Sequence, residues 1–317
     1  MKNPLKLAGF AVGLAAVFGI ALGLGALAGP VDEEASAHGN GAHESTPSEG
    51  GEVGGLTDTA GGYTLTLLEP TVSPGSRVPL RFRISDADGS PVTRYTPNHE
   101  KDLHLIVVRR DMAVFRHLHP VLDEQGTWSV PVDLSRAGDY RVFADFVTAD
   151  GQPFTLGADL RVTGDYHPQP LPKAATTTTV DGYTVTLDGT LVPGRASTVT
   201  LTVSRDGEPV TDLEPYLGAY GHLVALRATD LGYLHVHPEG HPGDGVTKAG
   251  PDITFAVTAP SAGDYRMFLD FRHRGVVRTA EFTVVAAPAT PMTGDHPEPP
   301  VAGPGHTHHP SHSGHGH

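Results

Sequence analysis

Two stretches of the chain carry histidine in a pattern suited to coordination chemistry. His104 is followed thirteen residues later by His117-Leu118-His119-Pro120, and His222 is followed thirteen residues later by His235-Val236-His237-Pro238. The neutral imidazole is the commonest metal ligand, and three on one surface suit Cu(II), Zn(II) or Ni(II), with copper first by affinity. In this reading His104, His117 and His119 form one candidate site, and His222, His235 and His237 form a second.

Each stretch reads as a β-hairpin. Cross-strand partners in a hairpin have residue numbers with a constant sum. A loop at Arg110-Asp111 therefore sets His104 opposite His117, and a loop at Asp111-Met112 sets it opposite His119. Directly opposed residues share a sheet face, as do residues i and i+2, so either register gathers all three imidazoles on one face and turns Leu118 to the other. A one-residue change in the loop would break this. The second copy keeps the interval through Ala228, Thr229 and Asp230, although the loop residues differ.

A fourth ligand position falls to water, a carboxylate or a group from a partner. Asp145 and Asp270, in the matching segments Phe-x-Asp-Phe, are candidate ligands or acceptors that orient an imidazole N–H. Arg141 and Arg266, four residues earlier on the same strand face, offer those carboxylates a purely structural ion pair instead. His99, His241 and His273 each occur in one copy only and rank as auxiliary. Tyr140 and Tyr265 of Gly-Asp-Tyr-Arg read as corners tying a loop to a sandwich.

The elements that must position these groups are short strands. Between Gly62 and Thr163 the runs YTLTLLE, VPLRFRIS, DLHLIVVR, AVFRHLH, TWSVPVDL, DYRVFADFV and FTLGADLRV are separated by turn residues, which predicts an antiparallel β-sandwich. The pattern then repeats: DADGSPVT is answered by SRDGEPVT, and AGDYRVFADF by AGDYRMFLDF. Small insertions between preserved motifs indicate a duplicated domain. The expected fold is all-β, two tandem immunoglobulin-like antiparallel β-sandwiches over residues 59–164 and 180–286, joined by a Pro- and Thr-rich linker over 165–179.

Composition removes several chemistries. There is no Cys among the 317 residues, which excludes disulfides, thiolate metal sites, a Cys nucleophile and a blue-copper centre. Four Met, scattered along the chain, do not make a Met-rich Cu(I) carrier. The formal net charge of −14 argues against nucleic acid as a partner. No nucleophile elbow, Gly-rich phosphate loop or strand–helix alternation is present, and no enzymatic reaction is expected.

At the amino end, Lys2 and Lys6 precede an uncharged run from Leu7 to Gly29, so residues 1–29 read as a hydrophobic helix acting as a signal anchor. The alternative is a signal peptide cleaved at one of two small-x-small sites, which would secrete the protein. Residues 30–58 read as a flexible linker, and residues 287–317 as a disordered His-rich tail. Spaced His306, His308, His309, His312, His315 and His317 would capture divalent metal weakly and multivalently.

AYGHLVALRATDLGYLHVHPEG, AGDYRMFLDFRHRGVVRTAEFTV and the first-copy segments HLHP, GTWSV and AGDYRVFADF resemble uncharacterised membrane-anchored or secreted bacterial proteins, chiefly actinobacterial. Their domains are similar to YtkA-like and periplasmic copper-resistance β-sandwiches, and the lack of Met ligands departs from the copper carriers among them. What the resemblance implies is metal handling outside the cytoplasm. The expected function is an extracytoplasmic, membrane-tethered copper or zinc binder or metallochaperone, without enzymatic activity, that passes its ion to a metal-transfer protein partner. Two other readings stand beside it: a structural or protein-interaction module whose His residues form internal hydrogen bonds, and a sensor whose His facets protonate between about pH 5 and 7.

Overall fold

The structure is a computed structural model, and it describes residues 53–234 and 236–288; of His237 it describes the backbone alone. The signal anchor, most of the 30–58 linker, His235 and the His-rich tail lie outside the described residues. Among the described residues no helix is long and apolar enough to cross a membrane.

The first sandwich contains β1 (Thr59–Ala60), β2 (Tyr63–Leu67), β3 (Thr71–Val72), β4 (Val78–Ser85), β5 (Tyr95–Thr96), β6 (Leu103–Arg109), β7 (Phe115–Leu118), β8 (Val121–Leu122), β9 (Thr127–Val132), β10 (Gly138–Thr148) and β11 (Pro153–Val162). One sheet has the order β1-β2-β4-β9-β8, and the facing sheet β3-β11-β10-β6-β7, with β5 on β10. All seven expected runs are strands.

The second sandwich contains β12 (Thr177–Val180), β13 (Tyr183–Asp188), β14 (Ala196–Arg205), β15 (Glu208–Pro209), β16 (Gly221–Arg227), β17 (Tyr233–Leu234), β18 (His237–Pro238), β19 (Asp252–Thr258), β20 (Gly263–His273) and β21 (Val276–Ala286). Its sheets run β12-β13-β14-β19-β18, with β15 on β14, and β17-β16-β20-β21. The fold is thus all-β with two tandem sandwiches, as the repeated motifs predict.

The repeated Ala-Gly-Asp-Tyr has a backbone cause. Gly138 and Gly263 start β10 and β20 at φ of 139° and 132°, where a side chain would be strained. Two residues on, Tyr140 Oη donates to the carbonyl of Arg136 at 2.6 Å, and Tyr265 Oη to that of Ser261 at 2.8 Å. These are the tyrosine corners expected from the sequence.

Two segments read as linker are structured. Thr177–Thr179 pairs in register with Thr184–Thr186, because β-branched threonines suit a sheet edge. Near the start of the described chain, Gly54 bridges to Tyr233, and the carbonyl of Gly55 accepts from Arg141 Nε and Nη2 at 3.1 and 2.8 Å. A Cβ on Gly55 would stand 2.2 Å from the ring of Phe143, so only glycine admits this approach.

Each sandwich has its own core, one centred on Leu80, Phe82, Trp128 and Phe146, the other on Tyr183, Phe255, Tyr265 and Phe271. A third buried cluster belongs to neither alone. It joins Ile106, Val108, Met112, Phe115 and Phe143 of the first sandwich to Val224, Leu226, Leu231, Tyr233 and Phe268 of the second. Both sandwiches fall within one compact unit. Across their contact the rings of Phe115 and Phe268 stack with centroids 3.9 Å apart and planes 4° from parallel.

Truncation at this contact leaves a cavity between sheets that are already docked. Phe268→Ala should therefore lower the unfolding free energy by about 3–5 kcal/mol in denaturant titration. Paired with Phe115→Ala, it should show a coupling of about 0.5–1.5 kcal/mol in a double-mutant cycle. Strict additivity would mean that the stack is not what joins the sandwiches.

Candidate metal centre

Strand β6 is buried along its whole length, which amphipathic alternation would not produce. Leu103, Leu105 and Val107 enter the core of their own sandwich, while His104, Ile106 and Val108 turn outward toward the second sandwich. Strand β7 pairs with it as Leu105↔Leu118, Ile106↔His117 and Val108↔Phe115. Of the two registers left open by the sequence, this is the one with the loop at Asp111-Met112. It sets His117 beside Ile106 on the outward face, and His119 continues that face beyond the end of β7.

The three imidazoles of the first copy converge. His104 Nδ1 lies 3.0 Å from His117 Nε2 and 3.3 Å from His119 Nε2. The ring centroids form a nearly equilateral triangle of 5.3, 5.0 and 5.0 Å. Zn–N bonds of about 2.0–2.1 Å in a tetrahedron place ligand nitrogens about 3.3 Å apart, so these separations already match coordination. Among the described residues this is the only group of three such side chains within mutual ligand reach.

Hydrogen bonds at the far side of two rings set their tautomers. His104 Nε2 lies 3.0 Å from the carbonyl oxygen of Asn98, which only accepts, so the proton sits on Nε2 and Nδ1 is bare. His117 Nδ1 lies 2.8 Å from Asp270 Oδ2 and donates to that carboxylate, leaving Nε2 bare in the neutral ring. His104 Nδ1 and His117 Nε2 then face each other at 3.0 Å, where one ion could take both lone pairs; the metal-free alternative is a proton on His119 Nε2 donated to His104 Nδ1 at 3.3 Å. Burial first, and the neighbouring His117 second, push His104 down to about 4 and His119 down to about 3. These two rings are neutral at pH 7, the form that binds metal.

The carboxylates act at one remove. Asp270 Oδ1 accepts from Thr279 Oγ1 at 2.5 Å while Oδ2 accepts from His117, so it orients an imidazole of the other sandwich. Asp145 accepts from Thr155 Oγ1 at 3.1 Å and from Tyr233 Oη, across the interface, at 3.2 Å. Arg141 pairs with Asp159, its direct cross-strand neighbour, and Arg266 with Glu281. Residues i and i+4 on a strand are separated by about 13 Å, too far for Arg to prefer over a partner on the adjacent strand.

His222 of the second copy does not stand alone. Its Nε2 donates to the carbonyl of Tyr216 at 2.8 Å, six residues upstream, as His104 does to Asn98. Its ring lies 6.4 Å from those of His104 and His117 and 5.1 Å from that of His99, so it borders the first triad. Strand β17 keeps the first-copy register, Ala225↔Leu234 and Leu226↔Tyr233, but ends at Leu234. The backbone of His237 pairs instead with Ala256 in the opposite sheet. His235 and the side chain of His237 lie outside the described residues, as does the tail from His306 to His317.

The remaining auxiliary histidines part company. His99 adjoins the cluster at a φ of 47°, His241 is exposed, and His273 is buried between Tyr183 Oη at 2.7 Å and Asp212 Oδ1 at 3.0 Å within the second sandwich. Sequence reasoning missed the inter-sandwich setting and the carbonyls of Asn98 and Tyr216. One signal was present: the apolar runs of β6 and β16 have no polar alternation, as expected of strands covered on both faces.

The profile of a domain of unknown function, DUF8832, matches residues 58–164 and again 178–288. The chain belongs to the DUF8832 family. No curated protein matches it. Among solved structures it is similar to the Escherichia coli adhesin FdeC, at 17% identity over 71% of this chain and 64% of that one, with a TM-score of 0.24. It is also similar to Yersinia pseudotuberculosis InvD, at 11% identity over 72% and 58% of the two chains, TM-score 0.24. A Salmonella alpha-2-macroglobulin matches at 17% identity over 75% of this chain and 16% of its own, TM-score 0.24. The chain spans less than two thirds of the length of each.

The lowered pKa values fix a direction for acid stability. Unfolded imidazoles titrate near pH 6.5. Between there and about pH 4 the unfolded chain takes up protons that His104 and His119 refuse, so stability present above pH 6.5 is lost as pH falls through this window. Metal-free protein at pH 4.5 should unfold in less denaturant than at pH 7, with His104 accounting for on the order of 2 kcal/mol. His119→Gln should flatten this dependence, and an unchanged slope would contradict a neutral buried ring.

Proposed function

We propose that this protein binds a divalent transition metal, copper or zinc, as cargo held by His104 Nδ1, His117 Nε2 and His119 Nε2, and that it does so outside the cytoplasm without catalysing a reaction. The observation that carries this reading is the pair of fixed tautomers. A backbone carbonyl at His104 and a carboxylate at His117 turn two bare nitrogens toward one point, with His119 completing the triangle. Such outer partners are how proteins orient metal-binding imidazoles.

The ligand set supports an identity for the ion. Three neutral nitrogens without sulfur favour Cu(II) or Zn(II) over softer ions, with water or an incoming ligand in the fourth place. An open position of this kind suits transfer to a partner protein. The spaced histidines of 306–317 would raise the local metal concentration beside the site, and the apolar run of 7–29 would hold the domains at the outer face of the membrane.

A second reading rests on the same contacts. With one proton on His119 Nε2 donated to His104 Nδ1, the cluster becomes an interior hydrogen-bond network of an interaction module. Metal uptake distinguishes the two, since an ion must displace that proton.

Protein ending at Pro288, purified without nickel, should retain one tightly held Cu(II) or Zn(II) through the first triad and release protons on loading. His117→Ala combined with His119→Ala should abolish that retention. If metal content and metal-dependent thermal stabilisation survived the double substitution, the triad would not be the site.

A further inference from the structure

We infer that the metal centre is shared between the two sandwiches, with Asp270 of the second serving as the positioning residue for His117 of the first. The inference rests on the metal reading above and goes beyond it. It makes the duplicated chain one metal-binding unit whose affinity depends on the docking of its halves.

The contact that carries it is short and buried. His117 Nδ1 and Asp270 Oδ2 are 2.8 Å apart, with side chains 6% and 5% exposed. The carboxylate is held from its other oxygen by Thr279. Its place is set by register as well: Asp270 lies directly opposite His222 on β16 and two residues beyond Phe268 on β20. Phe115 lies two residues before His117 and stacks on Phe268. Residues i and i+2 share a strand face, so the aromatic contact and the His–Asp contact are successive rungs of one interface. When the aromatic rung docks, the carboxylate arrives at Nδ1.

The chemistry follows from that arrival. A free neutral imidazole divides its proton between Nδ1 and Nε2. A carboxylate at Nδ1 holds the proton there, leaves the Nε2 lone pair for the ion and raises its basicity. The matching carboxylate of the first sandwich, Asp145, also accepts a hydrogen bond across the interface, from Tyr233 of the second, which occupies the place in its copy that Phe115 has in the other. By linkage, an ion that prefers the docked arrangement also tightens the docking.

The test uses the full chain with Co(II) as a spectroscopic probe, and Zn(II) competition against a chelator to measure affinity. Asp270→Ala should weaken Zn(II) binding ten- to hundred-fold and alter the visible spectrum of bound Co(II), while circular dichroism shows the β fold retained. Asp270→Asn keeps an acceptor oxygen and should recover part of the affinity, and it carries the test if the alanine variant does not fold. If the unsubstituted protein binds tightly while both variants match its affinity and its Co(II) spectrum, the inference falls and the metal reading stands. If the unsubstituted protein takes up no metal, the metal reading falls and takes this inference with it.

Discussion

Burial of the outer face of β6 is the constraint on which the rest of this structure depends. A strand inside a two-sheet sandwich normally shows one face to the core and one to water, yet His104, Ile106 and Val108 face the second sandwich. Apolar side chains on that face drive the sheets together, and the stacked Phe115 and Phe268 fix how they meet. The imidazoles on the same face are carried with them out of water. The hydrophobic contact and the polar cluster are therefore neighbouring parts of a single interface.

Taking imidazoles out of water has an electrostatic consequence. Protonated rings at His104 and His119 would be both desolvated and close to another positive charge, and both are held neutral at physiological pH. A buried polar group must nevertheless find a partner. The carbonyls of Asn98 and Tyr216 and the carboxylate of Asp270 each accept one N–H and leave the opposite nitrogen bare. The nitrogens of His104 and His117 face each other at 3.0 Å with His119 Nε2 beside them, a group that could hold a metal ion, and this polar cluster is what separates the interface from an ordinary hydrophobic seam.

Much of the fold was legible from alternation and turns. The runs from YTLTLLE to FTLGADLRV became strands, and Tyr140 and Tyr265 became corners, because these features depend on residues close in the chain. The first site was legible to the same depth: a hairpin with a two-residue loop puts His104, His117 and His119 on one face in either register, and the structure selects the loop at Asp111-Met112. Arg141 and Arg266, weighed from the sequence as alternative partners for Asp145 and Asp270, pair instead with Asp159 and Glu281 on the adjacent strands, because strand rise separates i from i+4 while a cross-strand partner stands close by. The Thr-rich end of the linker became an edge strand because β-branched residues found an open sheet edge at β13.

The sequence by itself determined the duplicated sandwich and the shared face of the first three imidazoles, since period-two alternation and hairpin register are properties of adjacent residues. Only the tertiary structure decided that this face is covered, that His222 borders the first triad, and that the carboxylate orienting His117 comes from the other copy. The physical reason is that Asp270 and His117 meet only after two independently formed sheets dock. Which residues stand opposite one another across that contact depends on the shape and packing of whole faces, a quantity that no spacing along one chain segment contains.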